Sequence, residues 1–137
     1  MAGVLLDTDI LSHLMKGDAR VSAQAERYLS NHDRLSFSII TRYEILRGLR
    51  AKDAHLQETR FDILCSKSNV FALTDPIVKK AARIYAELRR RGEMIGDADI
   101  LIAATAIVNE VELNTNNQKH FGRISGLKII NWLEKNA

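Results

Sequence analysis

Short unbroken apolar runs alternate along this chain with longer stretches in which apolar residues recur every three or four positions. An unbroken run between polar residues reads as a strand buried on both faces, whereas the three-to-four spacing reads as a helix with one face in a core. On that basis strands are expected at 4–6, 35–38, 70–73 and 111–114, with a fifth, less regular one at 127–130. Helices are expected at about 8–15, 20–30, 41–49, 54–66, 76–91 and 97–109. The clearest boundary is Thr74, Asp75 and Pro76, a capping residue followed by proline at the first helical position. Gly92 and Gly96 bracket the loop between the last two long helices. Strand and helix alternate with little linker sequence, which predicts an α/β fold: a central, mostly parallel sheet of four to five strands flanked by helices.

Composition sets the scale of this arrangement. The chain has 137 residues, 46% of them hydrophobic, which predicts a single domain over 1–137 able to bury its own core. The formal net charge is +3 and the pI about 9.2, a balance that suits a polyanionic substrate but is common among ordinary proteins. Cys65 is the single cysteine, so no intramolecular disulfide can form, and a reducing, cytoplasmic setting is expected. No signal peptide is read: Met1–Gly3 carries no basic cluster, the apolar run at 4–6 is too short, and no run approaches membrane-spanning length.

Chemistry enters with three acidic stretches: VLLDTDI at 4–10, RYEILRGL at 42–49 and GDADILIAATA at 96–106. Each places one carboxylate, Asp7, Glu44 or Asp99, at the edge of apolar sequence. Three acids converging from separate elements repel one another unless a divalent cation sits between them, so the pattern predicts a metal site. Asp7 ends the first strand, Glu44 is expected in the first turn after the second, and Asp99 opens the helix before the fourth. All three then face the crevice at the strands' carboxyl ends, where helix amino ends favour anionic groups. Ile102, Ala103 and Ala106 form one apolar face that anchors Asp99. Each acid also has a structural reading. Thr41 to Glu44 matches a capping box, and Asp7, Thr8 or Asp97 suit plain helix caps. Capping does not explain why all three acids gather at one end of a single topology.

The same residues resemble the motifs of PIN-domain ribonucleases, and among them the VapC-type toxins of bacterial toxin–antitoxin pairs. VLLDTDI is similar to the family's first strand, with Asp7 as the first metal ligand. SIITRYEILRGL is similar to its second motif, with Glu44 as the acid and Gly48 one turn on. RRRGEMIGDADILIAATA, at 89–106, is similar to the most specific stretch, with Asp99 as its acid, and ELNTNNQKHFGRISGLKIINW, at 112–132, to the closing segment. There are departures. Asn117 stands where many members have a fourth acid, His120 where some have another, and Asp9 where the first motif usually closes on asparagine.

The resemblance implies a PIN fold and hydrolysis of RNA phosphodiesters with Mg²⁺ or Mn²⁺. Asp7 and Asp99 would hold the metal and Glu44 would bind it through water or orient the attacking hydroxide. Asp97 is a possible fourth ligand through a water, Thr8 and Thr115 are candidates for positioning ligands or phosphate, and Asn117 can orient water. Loss of the fourth acid should weaken metal affinity. Arg42, Arg47 and Arg50 around Glu44 are candidate RNA-binding residues, and Arg89–Arg91 are either that or a solvated face. Tyr43 is expected in the core or an interface, with base stacking as the alternative. His13, His32 and His55 are read as structural. The family also implies a small VapB-type antitoxin whose tail enters the acidic groove with a cationic side chain, and a homodimer. Apolar Ile10, Leu11, Leu14 and Met15 offer a docking face, or serve the domain's own core. Two other classes remain open: a haloacid-dehalogenase-like phosphatase, suggested by Asp7-Thr8-Asp9, and a degenerate PIN domain that binds RNA or protein without cutting.

Overall fold

The structure, a computed structural model, describes residues 3–134. Strands β1 (Val4–Leu6), β2 (Ser36–Ser38), β3 (Asn69–Phe71), β4 (Glu112–Asn114) and β5 (Ile129–Ile130) form one sheet in the order β3-β2-β1-β4-β5. Every neighbouring pair is parallel. Helices α1 (Thr8–Met15) and α2 (Ala19–Leu29) join β1 to β2, and α3 (Ile39–Ala51) and α4 (His55–Ser66) join β2 to β3. Helices α5 (Asp75–Arg91) and α6 (Asp97–Val108) lead to β4, and the single turn α7 (Gln118–Phe121) precedes β5.

β1 lies at the centre, with Leu5 opposite Ser36 on one side and Leu113 on the other. Successive strand residues face opposite ways, so the sheet divides the core in two. Leu5 packs with Ile77, Ile84 and Leu88 of α5 and with α6, while Val4 and Leu6 pack with Ile10, Leu11, Phe37 and Phe61. Helices therefore cover both faces, which is why the strands read as unbroken apolar runs. Leu5 and Leu6 are 0% and 1% exposed, and each such burial contributes about 1.5–3 kcal/mol. In α6, Ala103, Ala104 and Ala106 are fully buried, and their small side chains let the helix lie close to α5 and the sheet.

Several boundaries differ from the sequence reading. Helix α3 starts at Ile39 rather than 41, because Ser38 ends β2 and caps it, its Oγ accepting from the Thr41 N–H at 3.0 Å. Glu44 therefore lies in the second turn, not the first, and the capping box from Thr41 does not form. Pro76 is the second helical residue of α5, after Asp75. β3 and β5 are shorter than expected, and α7 was not expected at all, since one turn is too short to show a helical period. Tyr43 is 58% exposed, with the Arg47 guanidinium 5.2 Å from its ring centre, so it is not a core residue. Ile10 and Leu11 of α1 are fully buried and Leu14 and Met15 pack on the same cluster, so the α1 stripe serves this domain's own core. His32 stacks on Tyr28 with ring centres 3.9 Å apart, and His13 Nδ1 lies 3.2 Å from Asp18. No helix is long and apolar enough to cross a membrane among the described residues.

Candidate active site

Connections leave β1 toward β2 and β4 toward β5, in opposite directions across the sheet, so a crevice opens between the carboxyl ends of β1 and β4. Asp7 follows β1 at this point. It caps α1, with Oδ1 accepting from the Thr8 N–H at 2.8 Å and Oδ2 accepting from the Thr115 hydroxyl at 2.7 Å. Its own N–H donates to Asn114 O at 2.9 Å, tying the end of β1 to β4. Asp7 is only 6% exposed. Thr115, also buried, accepts from the Asn117 N–H at 3.0 Å, and the Asn117 amide nitrogen lies 3.1 Å from His120 Nδ1. A hydrogen-bonded chain thus runs from Asp7 through Thr115 and Asn117 to His120.

Glu44 reaches the crevice from α3. Its Oε1 accepts from the Thr8 hydroxyl at 2.6 Å, Thr8 Oγ1 lies 3.0 Å from Thr41 Oγ1, and Oε2 lies 3.6 Å from Arg47 Nη2. Thr8 therefore holds Glu44 through its side chain and Asp7 through its backbone. Asp99, partly buried, stands in the first turn of α6 and Asp97, exposed, opens that helix, where Gly96 is the cap. Asp9 accepts from the Ile10 N–H at 2.7 Å and from the Asn116 N–H at 3.0 Å, fixing α1 to the loop after β4.

Electrostatics show which of these groups share one field. The Asp7 carboxyl is pushed up to about 7, mainly by burial and then by the charge of Asp9; Asp99 adds to the rise, and the bonds from Thr115 and Thr8 oppose it. Asp99 is also raised, by burial and then by Glu44 and Asp9, with His120 opposing. Asp99 thus lies within electrostatic reach of Asp7, Asp9, Glu44 and His120. Asp9 and Thr41 are the contributors that the sequence reading did not assign. A carboxylate two residues after Asp7 was the available signal for Asp9, whereas Thr41 was marked only as a helix cap, not as a neighbour of Thr8.

Among the described residues no three acidic, histidine or cysteine side chains already close into a metal cage. The donors still fit a hard divalent cation. They are all oxygens, and the raised Asp7 and Asp99 mark negative charge that lacks a full countercharge. Beside them a groove of about 400 Å³ runs from Thr8 and Glu44 past Ser12, Met15 and Gly48 to Lys52.

The arginines on this side already have partners. Arg42 lies 3.1 Å from Asp62 and 3.1 Å from Cys65 Sγ, Arg47 pairs with Glu44, and Arg50 lies 3.1 Å from Glu58. Arg91, at the end of α5, lies 3.0 Å from Glu93.

Comparison with known proteins identifies the family. A PIN domain family model matches residues 4–127. Ribonuclease VapC1 of Methanocaldococcus jannaschii is 34% identical over 128 residues, 92% of this chain and 85% of that protein. Ribonuclease VapC1 of Haemophilus influenzae is 31% identical over 129 residues, 93% of this chain and 96% of its own. The crystal structure of VapBC2 from Rickettsia felis, bound to a DNA fragment from its promoter, contains a chain that superposes with a TM-score of 0.86 at 27% identity, covering 94% of this chain and 98% of that one. With its acids gathered at the β1–β4 crevice and its family match spanning nearly its full length, the chain belongs to the PIN-domain family.

Proposed function

We propose that this chain, as a single PIN domain, is a VapC-type endoribonuclease: the toxin of a toxin–antitoxin pair, hydrolysing RNA phosphodiester bonds with Mg²⁺ or Mn²⁺ and restrained by a small VapB-type partner. The observation that carries the reading is the placement of acids from three separate elements: Thr8 binds both Asp7 and Glu44, and Asp99 lies within electrostatic reach of both acids. The names of the relatives, ribonucleases of similar length, point to the same chemistry.

In this reading Asp7 and Asp99 hold the metal, with Asp97 able to add an outer contact through water. When bound, the ion would lower the pKa of a water and stabilise charge developing on the phosphate. Glu44, held by Thr8, orients the attacking water and is placed to take its proton. Thr115 keeps the Asp7 carboxylate aimed into the crevice, and Asn117 holds His120 beside it. Arg47 stands closest to the acids of the three candidate RNA-contacting arginines; for Arg42 and Arg50 to grip phosphate, each would exchange its present carboxylate partner.

A phosphatase of the haloacid-dehalogenase type would need Asp9 free to act as acid and base. Both Asp9 oxygens instead accept backbone N–H groups. The deciding experiment is cleavage of single-stranded RNA by the purified chain with Mg²⁺, Mn²⁺ or EDTA, beside a small phosphate ester. Metal-dependent RNA cleavage without ester hydrolysis is expected. RNA binding without cleavage would instead identify a non-catalytic PIN domain.

A further inference from the structure

We propose that the hollow between the end of α5 and α7, walled by Arg91, Lys119 and Arg123, is a subsite for an RNA phosphate flanking the one that is cut. The proposal rests on the ribonuclease reading and adds to it the side of the crevice on which the strand continues.

Three observations carry it. The first is position: Lys119 lines the hollow, and the next residue, His120, is the imidazole whose charge Asp99 feels and whose Nδ1 meets Asn117. Lys119 and His120 are thus neighbours on one helical turn, the first lining the hollow and the second within electrostatic reach of Asp99. The second is charge. Around this hollow three cationic side chains face one carboxylate, Glu93, whereas Arg42, Arg47 and Arg50 on the other side each stand beside a carboxylate of their own. With Arg91 beside Glu93, Lys119 and Arg123 are the two that pair with no carboxylate among the described residues, and such cations are what a phosphate backbone binds, releasing counterions as it does so. The third is preorganisation. Arg91 donates to the Arg123 carbonyl and lies 3.0 Å from Glu93, while Arg123 Nη1 donates to Met94 O at 3.2 Å and Glu93 O at 3.4 Å. Both guanidinium groups are thus fixed against backbone, and each keeps further N–H donors for a phosphate. At about 690 Å³ and open to solvent, the hollow suits a passing strand better than an enclosed small ligand.

The test is binding of a fluorescein-labelled single-stranded RNA twelve nucleotides long, followed by anisotropy in EDTA so that no cleavage intervenes. The proteins are wild type, Lys119→Ala, the Lys119→Ala/Arg91→Gln double variant, and Lys79→Ala as a loss of equal charge at the far end of α5. Lys119 is exposed, so its variant keeps the fold; Lys119→Arg should restore binding. The double variant is expected to weaken affinity at least fivefold and to flatten the slope of log K against log salt by about 0.7, the contribution of the one phosphate that is no longer neutralised. Lys79→Ala should leave both unchanged. Equal effects at Lys79, no effect at Lys119 and Arg91, or no RNA binding by wild type would each overturn the subsite. Unchanged RNA affinity with weakened inhibition by the partner would overturn it in favour of an acidic protein segment. Wild type that binds RNA through these residues yet never cuts it when metal is restored would remove the ribonuclease reading and leave the hollow as an RNA-phosphate site.

Discussion

Asp7 holds its proton more tightly in the fold than in the unfolded chain, at about 7 against 3.8. Below pH 3.8 both states are protonated and the residue makes no difference to stability. Between pH 3.8 and 7 only the unfolded state releases the proton, so the metal-free protein loses stability as pH rises through this window, and above 7 the full cost of a buried charge remains. Asp7→Asn keeps the volume and removes that cost. Melting in EDTA should show the variant more stable than wild type at pH 7.5, by about 1–3 kcal/mol, and nearly equal to it at pH 4. A variant that keeps the wild-type fall with pH would disprove this account of Asp7. The same variant, and Asp99→Asn, should lose metal-dependent RNA cleavage while remaining folded. Glu44→Gln separates structure from chemistry in another way. Glutamine can still accept the Thr8 hydroxyl bond, and the Arg47 pair that it weakens is 58% exposed on the arginine side and adds little to stability. Cleavage should therefore disappear with the melting temperature almost unchanged; retained cleavage would return Glu44 to a structural role.

At the scale of elements, the placement of Asp99 depends on how closely α6 approaches its neighbours. Ala103 is fully buried, and Ala103→Leu should push α6 outward at a cost of about 1–3 kcal/mol, read from urea unfolding. Because Asp99 rides on the same helix, cleavage at saturating metal should fall more than for Val108→Leu, a change at a site already 36% exposed. Equal activity in the two variants would show that the carboxylate does not depend on the packing of α6. The elements also explain what the sequence could and could not reveal. Strand β1 and helix α6 were legible because burial on all sides leaves uninterrupted apolar residues, and Asp7 and Asp99 were found through them. The start of α3 was not, because Ser38 and Thr41 are both competent caps and only the end of β2 decides between them. That choice moved Glu44 by a turn and broke its apparent capping box. Arginine partners were equally hidden: Arg42 meets Asp62, twenty positions away, through the packing of α3 against α4.

At the scale of the whole molecule, the acidic crevice and the groove beside it determine how the enzyme can be restrained. A protein segment lying in the groove from Lys52 brings its end against Glu44 and Thr8, next to Asp7, whose burial without metal already drives its carboxyl upward. Covering these acids further is costly unless the segment supplies a positive charge, so an inhibitory partner should carry an Arg or Lys that enters the cluster. Expression of the chain alone is therefore expected to arrest growth, and co-expression of the small protein encoded beside it should restore growth. In the purified complex RNA cleavage should be lost, and replacing the partner's inserted Arg or Lys with Ala should restore cleavage even where the two chains still associate. Growth unaffected by an active enzyme in its native host, with the neighbouring gene deleted, would refute the toxin role and leave the nuclease. Inhibition that survives removal of every cationic side chain from the partner's groove-filling segment would instead mean that restraint works by blocking RNA entry, not by neutralising the acids.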